Sequence, residues 1–149
     1  MIRKLLFASA LLVAAPLAQA ASCSAVLEGN DAMKFNLTDI PVDKSCTTFT
    51  LTLKHTGKLG RSVMGHNVVV TKSADLQAVN ADGMKAGLAN EYVKPGDARV
   101  IAASKVIGGG ETTTLAIPVA KLKAAPGPYS FFCSFPGHAT LMKGTLTLK

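Results

Sequence analysis

The chain of 149 residues contains no tryptophan, and beyond its first residues it has no long apolar run. The early run, residues 5–15, is too short to cross a bilayer, so we expect no transmembrane segment. Basic residues outnumber acidic ones by 16 to 9, but no basic run is interleaved with aromatic residues, as a nucleic-acid surface would require. We also find no internal repeat, low-complexity tail or second domain. These absences argue against a membrane-spanning or nucleic-acid-binding protein.

The first 20 residues have the features of a secretory signal peptide. Arg3 and Lys4 form a positive start, residues 5–15 an apolar stretch, and residues 18–20 (Ala-Gln-Ala) a small-residue cleavage site. Cleavage there would leave residues 21–149, and 149 − 20 = 129 residues is the size of one domain. The formal net charge would fall by two, from +7 to +5. We therefore predict an exported protein whose dispersed positive charge keeps it soluble and attracts acidic partners only modestly.

Three cysteines allow one disulfide and leave one thiol over. Cys23 and Cys46 are the natural pair, because each lies away from any metal-like spacing. Their bond would close a loop of roughly 24 residues and contribute about 3 kcal/mol in the chain-entropy model. Cys133 is then a free thiol, which an oxidising compartment endangers unless the thiol is buried or bound to a metal. A buried, inert cysteine is the alternative to a metal ligand.

Alternating apolar and polar residues predict several short strands, each with one buried face. The clearest segments are residues 49–53, 68–70, 100–101, 114–119 and 145–148. Pro118 places the fourth of these at a sheet edge or a strand end. The one plausible helix spans residues 73–88 and is weakened by two glycines. The pattern predicts an all-β protein, a Greek-key antiparallel β-sandwich with one short inserted helix.

Side chains of metal-ligating type are concentrated in two segments. Cys133, His138 and Met142 lie within ten residues near the C-terminus, and His66 supplies a second imidazole far upstream. Two His, one Cys and one Met are the ligand set of blue-copper electron-transfer sites, in which the Met is a weak axial ligand. Taken alone, each His would more often be a core residue and the Met core filler. Together the four residues predict a redox metal site.

Several motifs, taken in order, identify the chain as similar to a known family. They are residues 28–31 (Glu-Gly-Asn-Asp), 42–46 (Val-Asp-Lys-Ser-Cys), 63–67 (Val-Met-Gly-His-Asn), 94–97 (Lys-Pro-Gly-Asp) and 131–144. The chain resembles the azurins, the bacterial periplasmic branch of the cupredoxins, over essentially all of residues 21–149. The spacing Cys-x4-His-x3-Met is similar to that of azurins, whereas the plastocyanin loop is shorter between Cys and His. One departure is Val68, which stands where many azurins have a core tryptophan.

The resemblance implies one copper ion with His66, Cys133 and His138 as equatorial ligands. Met142 would be the weak axial ligand, and the Gly65 carbonyl would approach from the opposite side. Thiolate and thioether favour Cu(I) and imidazole tolerates both oxidation states, so both states would fit one cage. By the same resemblance, His55 would be a partly buried histidine near the site and not a ligand.

The resemblance also implies supporting residues around the ligands. Asn67 and Ser134 would tie the two metal-binding segments together, and Phe135 would help to exclude water. An apolar patch would surround the exposed edge of His138 and suit brief docking with redox partners. Its members would be Met33, Leu59, Met64, Phe135, Pro136 and Leu141. Ordinary turn hydrogen bonds and core packing are the alternatives for these residues.

We therefore expect a soluble, monomeric, periplasmic one-electron carrier and not an enzyme. Its partners would be redox proteins such as c-type cytochromes or periplasmic reductases. One alternative is a copper or zinc binding or delivery protein, although a tetrahedral zinc site would not need Met142. Another is an enzyme with Cys133 as nucleophile and His138 or His66 as base. The enzyme is the weakest alternative, because the sequence shows no oxyanion-hole motif and no clear orienting acid.

Overall fold

The computed structural model describes residues 22–125 and 127–149, and the predicted signal peptide lies outside them. Eight strands and three short α-helices occur within the described ranges, and two 3-10 turns, Ser73–Asp75 and Leu88–Asn90, flank the second helix. The elements are β1 (Ser24–Gly29), β2 (Asp39–Val42), β3 (Thr48–His55), α1 (Arg61–Met64), β4 (Val69–Lys72), α2 (Leu76–Ala86), β5 (Val100–Ala103), β6 (Thr112–Pro118), α3 (Val119–Ala124), β7 (Tyr129–Phe132) and β8 (Lys143–Leu148).

The strands form two sheets that pack face to face. Their strand orders are β1-β3-β6 and β2-β8-β7-β4-β5. In strand β3, the alternating residues Phe49, Leu51 and Leu53 are buried, whereas the threonines between them are not. These side chains share one hydrophobic core with Val70 and Phe131 of the other sheet. The predicted all-β sandwich is confirmed.

The sandwich contains parallel as well as antiparallel strand pairs. β1 pairs with β3 in parallel, and β2 pairs with β8 in parallel, whereas the other four pairings between these strands are antiparallel. The chain leaves the first sheet after β1, forms β2 in the second sheet, and returns in β3. A hairpin forces antiparallel pairing, but a strand that returns after such a crossover can run parallel. Both sheets are therefore mixed.

The predicted helix is present over a shorter range, as α2 preceded by the turn Ser73–Asp75. It ends before Gly87, whose φ of +73° does not continue a helix. The short helices α1 and α3 were not predicted, because four to six residues are too few to show a helical period. Pro118 ends the edge strand β6, as predicted. Among the described residues, no helix has the length and apolarity that a membrane span requires.

The two ends of the sandwich carry different sulfur chemistry. Cys23, before β1, and Cys46, before β3, form the predicted disulfide, with Cα atoms 5.7 Å apart. The opposite ends of the same strands reach His66: the His55 ring stacks on it, with centroids 4.2 Å apart. A Cβ added to Gly29 would lie 2.8 Å from the His66 ring. The loops around His66 therefore gather at the end remote from the disulfide.

Candidate metal centre

Three of the predicted ligands meet in one buried cluster. His66, Cys133 and His138 each offer one ligand atom, and these atoms lie within 4.8 Å of one another. The pairing of β4 with β7 explains the meeting, because Val69 lies opposite Phe132. His66 shortly precedes β4 and Cys133 directly follows β7, so the two residues lie at the same end of adjacent strands.

The segment from Cys133 to Met142 is a loop whose two ends are tied together. The Cys133 N–H donates to the Met142 carbonyl at 2.9 Å, and the strands on either side pair with Phe132 opposite Lys143. Within the loop, the Met142 N–H donates to the His138 carbonyl at 2.8 Å. Met142 is fully buried and packs in a hydrophobic cluster with Cys133. The loop therefore delivers Cys, His and Met to one place.

Cys133 is a fully buried free thiol. Burial raises its pKa to about 12, and backbone N–H groups of Asn67 and Phe135 offset part of that rise by stabilising the thiolate. The sulfur lies 3.6 Å from His138 Nδ1 and 3.9 Å from the Gly65 carbonyl oxygen. At neutral pH the metal-free thiol is therefore protonated, and a metal ion would have to displace that proton.

The two imidazoles are held neutral. His66 Nε2 lies 2.9 Å from the Asn30 carbonyl oxygen and Nδ1 lies 3.0 Å from the Gly65 carbonyl oxygen, and a neutral ring can donate to only one of them. With the proton on Nε2, the Nδ1 lone pair is available to a metal. Burial lowers the pKa of His66, and it lowers that of His138 to about 4, with smaller effects from the neighbouring histidines. Neutral imidazole is the form that binds metals.

Gly65 lies where the backbone comes closest to the cluster. Its carbonyl oxygen is 3.0 Å from His66 Nδ1, and an added Cβ would collide with the Arg61 carbonyl and the Val106 side chain. Only glycine therefore allows this approach. The Gly65 carbonyl oxygen therefore borders both His66 Nδ1 and the Cys133 sulfur, which is 3.9 Å away.

Asn67 and Ser134 form reciprocal hydrogen bonds between the two ligand-bearing segments. The Asn67 amide donates to Ser134 Oγ at 2.8 Å, and the Ser134 N–H donates to Asn67 Oδ1 at 2.9 Å. Both residues are buried, so water does not compete for these bonds. The pair fixes the distance between the His66 and Cys133 segments.

The surface next to His138 is apolar, although His138 itself is only 3% exposed. Phe135 packs between Tyr92 and His138, with ring centroids 5.3 Å and 4.7 Å away. Among the predicted patch residues, Leu59, Pro136 and Leu141 are exposed, whereas Met33, Met64 and Phe135 are half-buried or buried. Val63, which is 64% exposed beside Met64, was not among the predicted patch residues. Because His138 is so deeply buried, the exposed edge expected there is very small.

His55 is fully buried, at 2% exposure, and not partly buried as expected. Its Nδ1 accepts the Gly57 N–H at 3.0 Å, and its Nε2 lies 2.7 Å from the Met64 carbonyl. Because a carbonyl can only accept, Nε2 carries the proton and both ring nitrogens are occupied. His55 thus supports the His66 ring by stacking and has no nitrogen left for a metal.

Several residues that shape the site were not predicted from the sequence. The Asn30 carbonyl oxygen lies 2.9 Å from His66 Nε2, and Glu91 accepts hydrogen bonds from three neighbouring segments. A backbone acceptor has no residue-type signal, since any residue supplies a carbonyl.

Val68, in the place of a core tryptophan, is fully buried and packs in the main core.

The donor set fits copper. Two neutral imidazoles and a thiol converge in a cluster with no exposed thiol surface, and a buried thioether packs beside the thiol. Soft sulfur donors with imidazole suit a copper ion in either oxidation state. The N–H groups aimed at Cys133 would stabilise the thiolate that such an ion needs.

Comparisons with known proteins agree with this chemistry. Residues 21–149 match the family described as copper binding proteins, plastocyanin/azurin family. The chain is 59% identical over 127 residues to azurin from Alcaligenes faecalis, covering 85% of this chain and 98% of that one. It is 54% identical over 150 residues to azurin from Pseudomonas aeruginosa, covering all of both. Among solved structures, azurin Az-iso2 from Methylomonas sp. strain J is 43% identical with a TM-score of 0.82, covering 87% of this chain and 99% of that one.

The predicted resemblance and the predicted cofactor, one copper ion, are both confirmed by these matches and by the His–Cys–His cluster. The relatives span the whole domain, from the disulfide end to the metal-binding loop, so the likeness is not confined to a short motif. The chain belongs to the copper-binding plastocyanin/azurin family.

Proposed function

We propose that the mature protein is a soluble, monomeric, periplasmic one-electron carrier with a single copper site. His66, Cys133 and His138 would hold the copper, with Met142 as a weak further ligand and the Gly65 carbonyl beside the site. The observation that carries the proposal is the buried convergence of two imidazoles and one thiol within 4.8 Å. When bound, copper supplies the couple between Cu(II) and Cu(I).

The protein's own residues hold the ligands in place before any metal binds. The Asn30 carbonyl orients His66, and the Asn67–Ser134 pair fixes the spacing between the ligand segments. Because these bonds are internal to the protein, the ligands need not rearrange when the charge of the site changes. Small rearrangement favours rapid one-electron exchange, since the site is already built for both states.

Burial makes the site dry and selects metal binding over thiol chemistry. A nucleophilic cysteine has a lowered pKa, whereas burial raises the pKa of Cys133 to about 12. That shift supports a carrier over an enzyme with a cysteine nucleophile. The buried Met142 beside Cys133 supports copper over a tetrahedral zinc site, which would not need a thioether.

The apolar surface beside His138 supports brief contacts with other redox proteins. Leu59 is 42% exposed and Leu141 is 60% exposed, and Pro136 lies in the ligand loop itself. A small apolar contact next to a ligand would let electrons enter and leave through His138 without a long-lived complex. We propose c-type cytochromes and periplasmic reductases as the partners.

The test is a visible absorption spectrum of residues 21–149 titrated with Cu(II) and then with a reductant. We expect an intense thiolate-to-copper band that saturates at one equivalent, bleaches on reduction and returns on reoxidation. The proposal would be overturned if refolded protein with a free Cys133 thiol gives no such band when Cu(II) is added. Tight zinc binding without reversible redox cycling would instead favour the delivery or structural alternative.

A further inference from the structure

We propose that Glu91 is a positioning residue for the copper centre, an inference that rests on the proposed function. It lies outside the ligand segments, directly after the turn Leu88–Asn90. Its φ is +57° and that of Tyr92 is +53°, so two successive non-glycine residues adopt the left-handed conformation. This conformation is unfavourable for such residues, so contacts elsewhere must hold it.

The backbone of Glu91 is tied to the ligand segments. Its carbonyl accepts a hydrogen bond from the Asn67 side-chain amide at 2.8 Å. The same amide group donates to Ser134 Oγ, and Asn67 Oδ1 accepts the Ser134 N–H. The left-handed turn therefore places one carbonyl where it orients the side chain that joins the His66 and Cys133 segments.

The carboxylate of Glu91 completes a ring of hydrogen bonds with Arg61 and Val106. Both oxygens accept from Arg61 Nη2, at 2.9 and 2.8 Å, and Oε2 also accepts the Val106 N–H at 2.6 Å. Arg61 Nε donates in turn to the Val106 carbonyl at 2.9 Å. The N–H and carbonyl of one residue, Val106, are thus held by two oppositely charged side chains.

Val106 forms part of the wall of the site. Its side chain is 3% exposed and packs with Cys133 and Met142. Together with the Arg61 carbonyl it fills the space beside Gly65 that a Cβ would need. The next residue, Ile107, exchanges two backbone hydrogen bonds with His66, at 2.9 and 2.8 Å. A shift of the Val106 segment would therefore move the Gly65 carbonyl and the His66 backbone.

The competing interpretation is an ordinary surface ion pair, because the side chains of Arg61 and Glu91 are 42% and 31% exposed. Such pairs contribute little to stability. The chain offers a matched control in Asp82 and Arg99, whose side chains are 29% and 32% exposed and whose closest atoms are 2.7 Å apart. Asp82 lies in α2, and its Oδ2 accepts from Arg99. Its replacement should alter stability alone.

The test compares E91Q, E91D and D82N with the unmodified protein. In metal-free protein, amide hydrogen exchange of Val106 and His66 should be about tenfold faster in E91Q, because Val106 loses a hydrogen bond to a charged acceptor. In copper-loaded protein, E91Q should change the copper hyperfine splitting in the EPR spectrum. E91D, which keeps the charge, should lie between E91Q and the unmodified protein, and D82N should change neither signal.

Unchanged exchange and an unchanged EPR spectrum in E91Q would overturn the inference, as would equal changes in D82N. If E91Q does not fold, the same two measurements on E91D decide the question. The inference and the proposed function fail separately. A missing copper band in the unmodified protein rejects the function, whereas a normal band with unaltered E91Q signals rejects only the role of Glu91.

Discussion

At one end of the sandwich Cys23 and Cys46 form a disulfide, whereas at the other end Cys133 is a buried free thiol. Strand β1, which runs from the disulfide end toward His66, is about 20 Å long for six extended residues. The disulfide closes its end covalently. The other end is held by the Asn67–Ser134 hydrogen bonds and by packing, and its thiol remains available to a metal.

Stability and function therefore have separate locations in this fold. A disulfide acts mainly by restricting the unfolded chain, so it needs no particular relation to the metal site. The thiol end must place side chains accurately and keep water out, which hydrogen bonds and tight packing achieve. We therefore expect that each end can be damaged without the other, and the following predictions test that independence.

The largest effect is expected for Cys133→Ser. Serine has no thiolate, so the copper charge-transfer band should disappear completely while the disulfide and the β-sandwich remain. Visible absorption measures the first expectation and far-UV circular dichroism the second. An intense band that survives in this variant would show that another residue is the sulfur ligand.

Replacement of Cys23 and Cys46 by serine should give the reverse result. The free energy of unfolding should fall by about 3 kcal/mol, because the unfolded chain regains the freedom of the closed loop. Urea unfolding measures this change, and the copper band of the folded protein should keep its position and intensity. A displaced band would mean that the two ends are coupled.

Gly65→Ala should damage the metal end locally. The new Cβ would meet the Arg61 carbonyl and the Val106 side chain, and such overpacking costs about 1–3 kcal/mol. Gly60→Ala is the matched control, because it has an ordinary φ of −68° and a Cβ there would have no neighbour within 4 Å. We expect Gly65→Ala to change the copper spectrum and Gly60→Ala to leave it unaltered. Equal copper spectra for both variants would show that the Gly65 carbonyl does not lie close to the copper.

The last prediction concerns mild acid, which should destabilise the metal-free protein gradually. Burial lowers the pKa of His138 from its ordinary 6.5 to about 4, so between these values the unfolded chain binds a proton that the folded chain does not. Stability should therefore fall as the pH falls from about 6.5 to 4. Burial lowers the pKa of His66 as well, which adds to the trend.

Urea unfolding at several pH values between 4 and 7 measures the acid effect, with the same series on copper-loaded protein as the comparison. The loaded protein should lose stability more steeply, because its unfolding releases copper and lets Cys133 as well as the two histidines bind protons. Metal-free stability that stays constant or rises on acidification would contradict the burial of the histidines.

The sequence predicted the sandwich and the cluster of His66, Cys133 and His138 because both depend on residue type. Alternation in β3 marks its buried face, and Cys133, His138 and Met142 lie close together in the chain. The parallel pairings were missed, because alternation defines which face is buried but not which strand lies alongside. Strand β7 was also missed, since all four of its residues are buried and no alternation is visible.

The supporting contacts were less predictable than the ligands. Asn67 and Ser134 flank ligands and could be found from the resemblance. The Asn30 carbonyl and the turn at Glu91 act through backbone atoms and left-handed torsion angles, which residue type does not reveal. Burial of His55 and His138 depends on loops that pack over them, so the expected exposure of both side chains was too large.

X-ray absorption at the copper K edge in both oxidation states tests the proposed copper site most directly. We expect one short sulfur neighbour and two nitrogen neighbours for Cu(II), from Cys133, His66 and His138. The same set should remain in Cu(I) with only small changes in distance, because internal hydrogen bonds hold the ligands. Absence of a sulfur neighbour, or loss of a ligand on reduction, would contradict the proposed copper site.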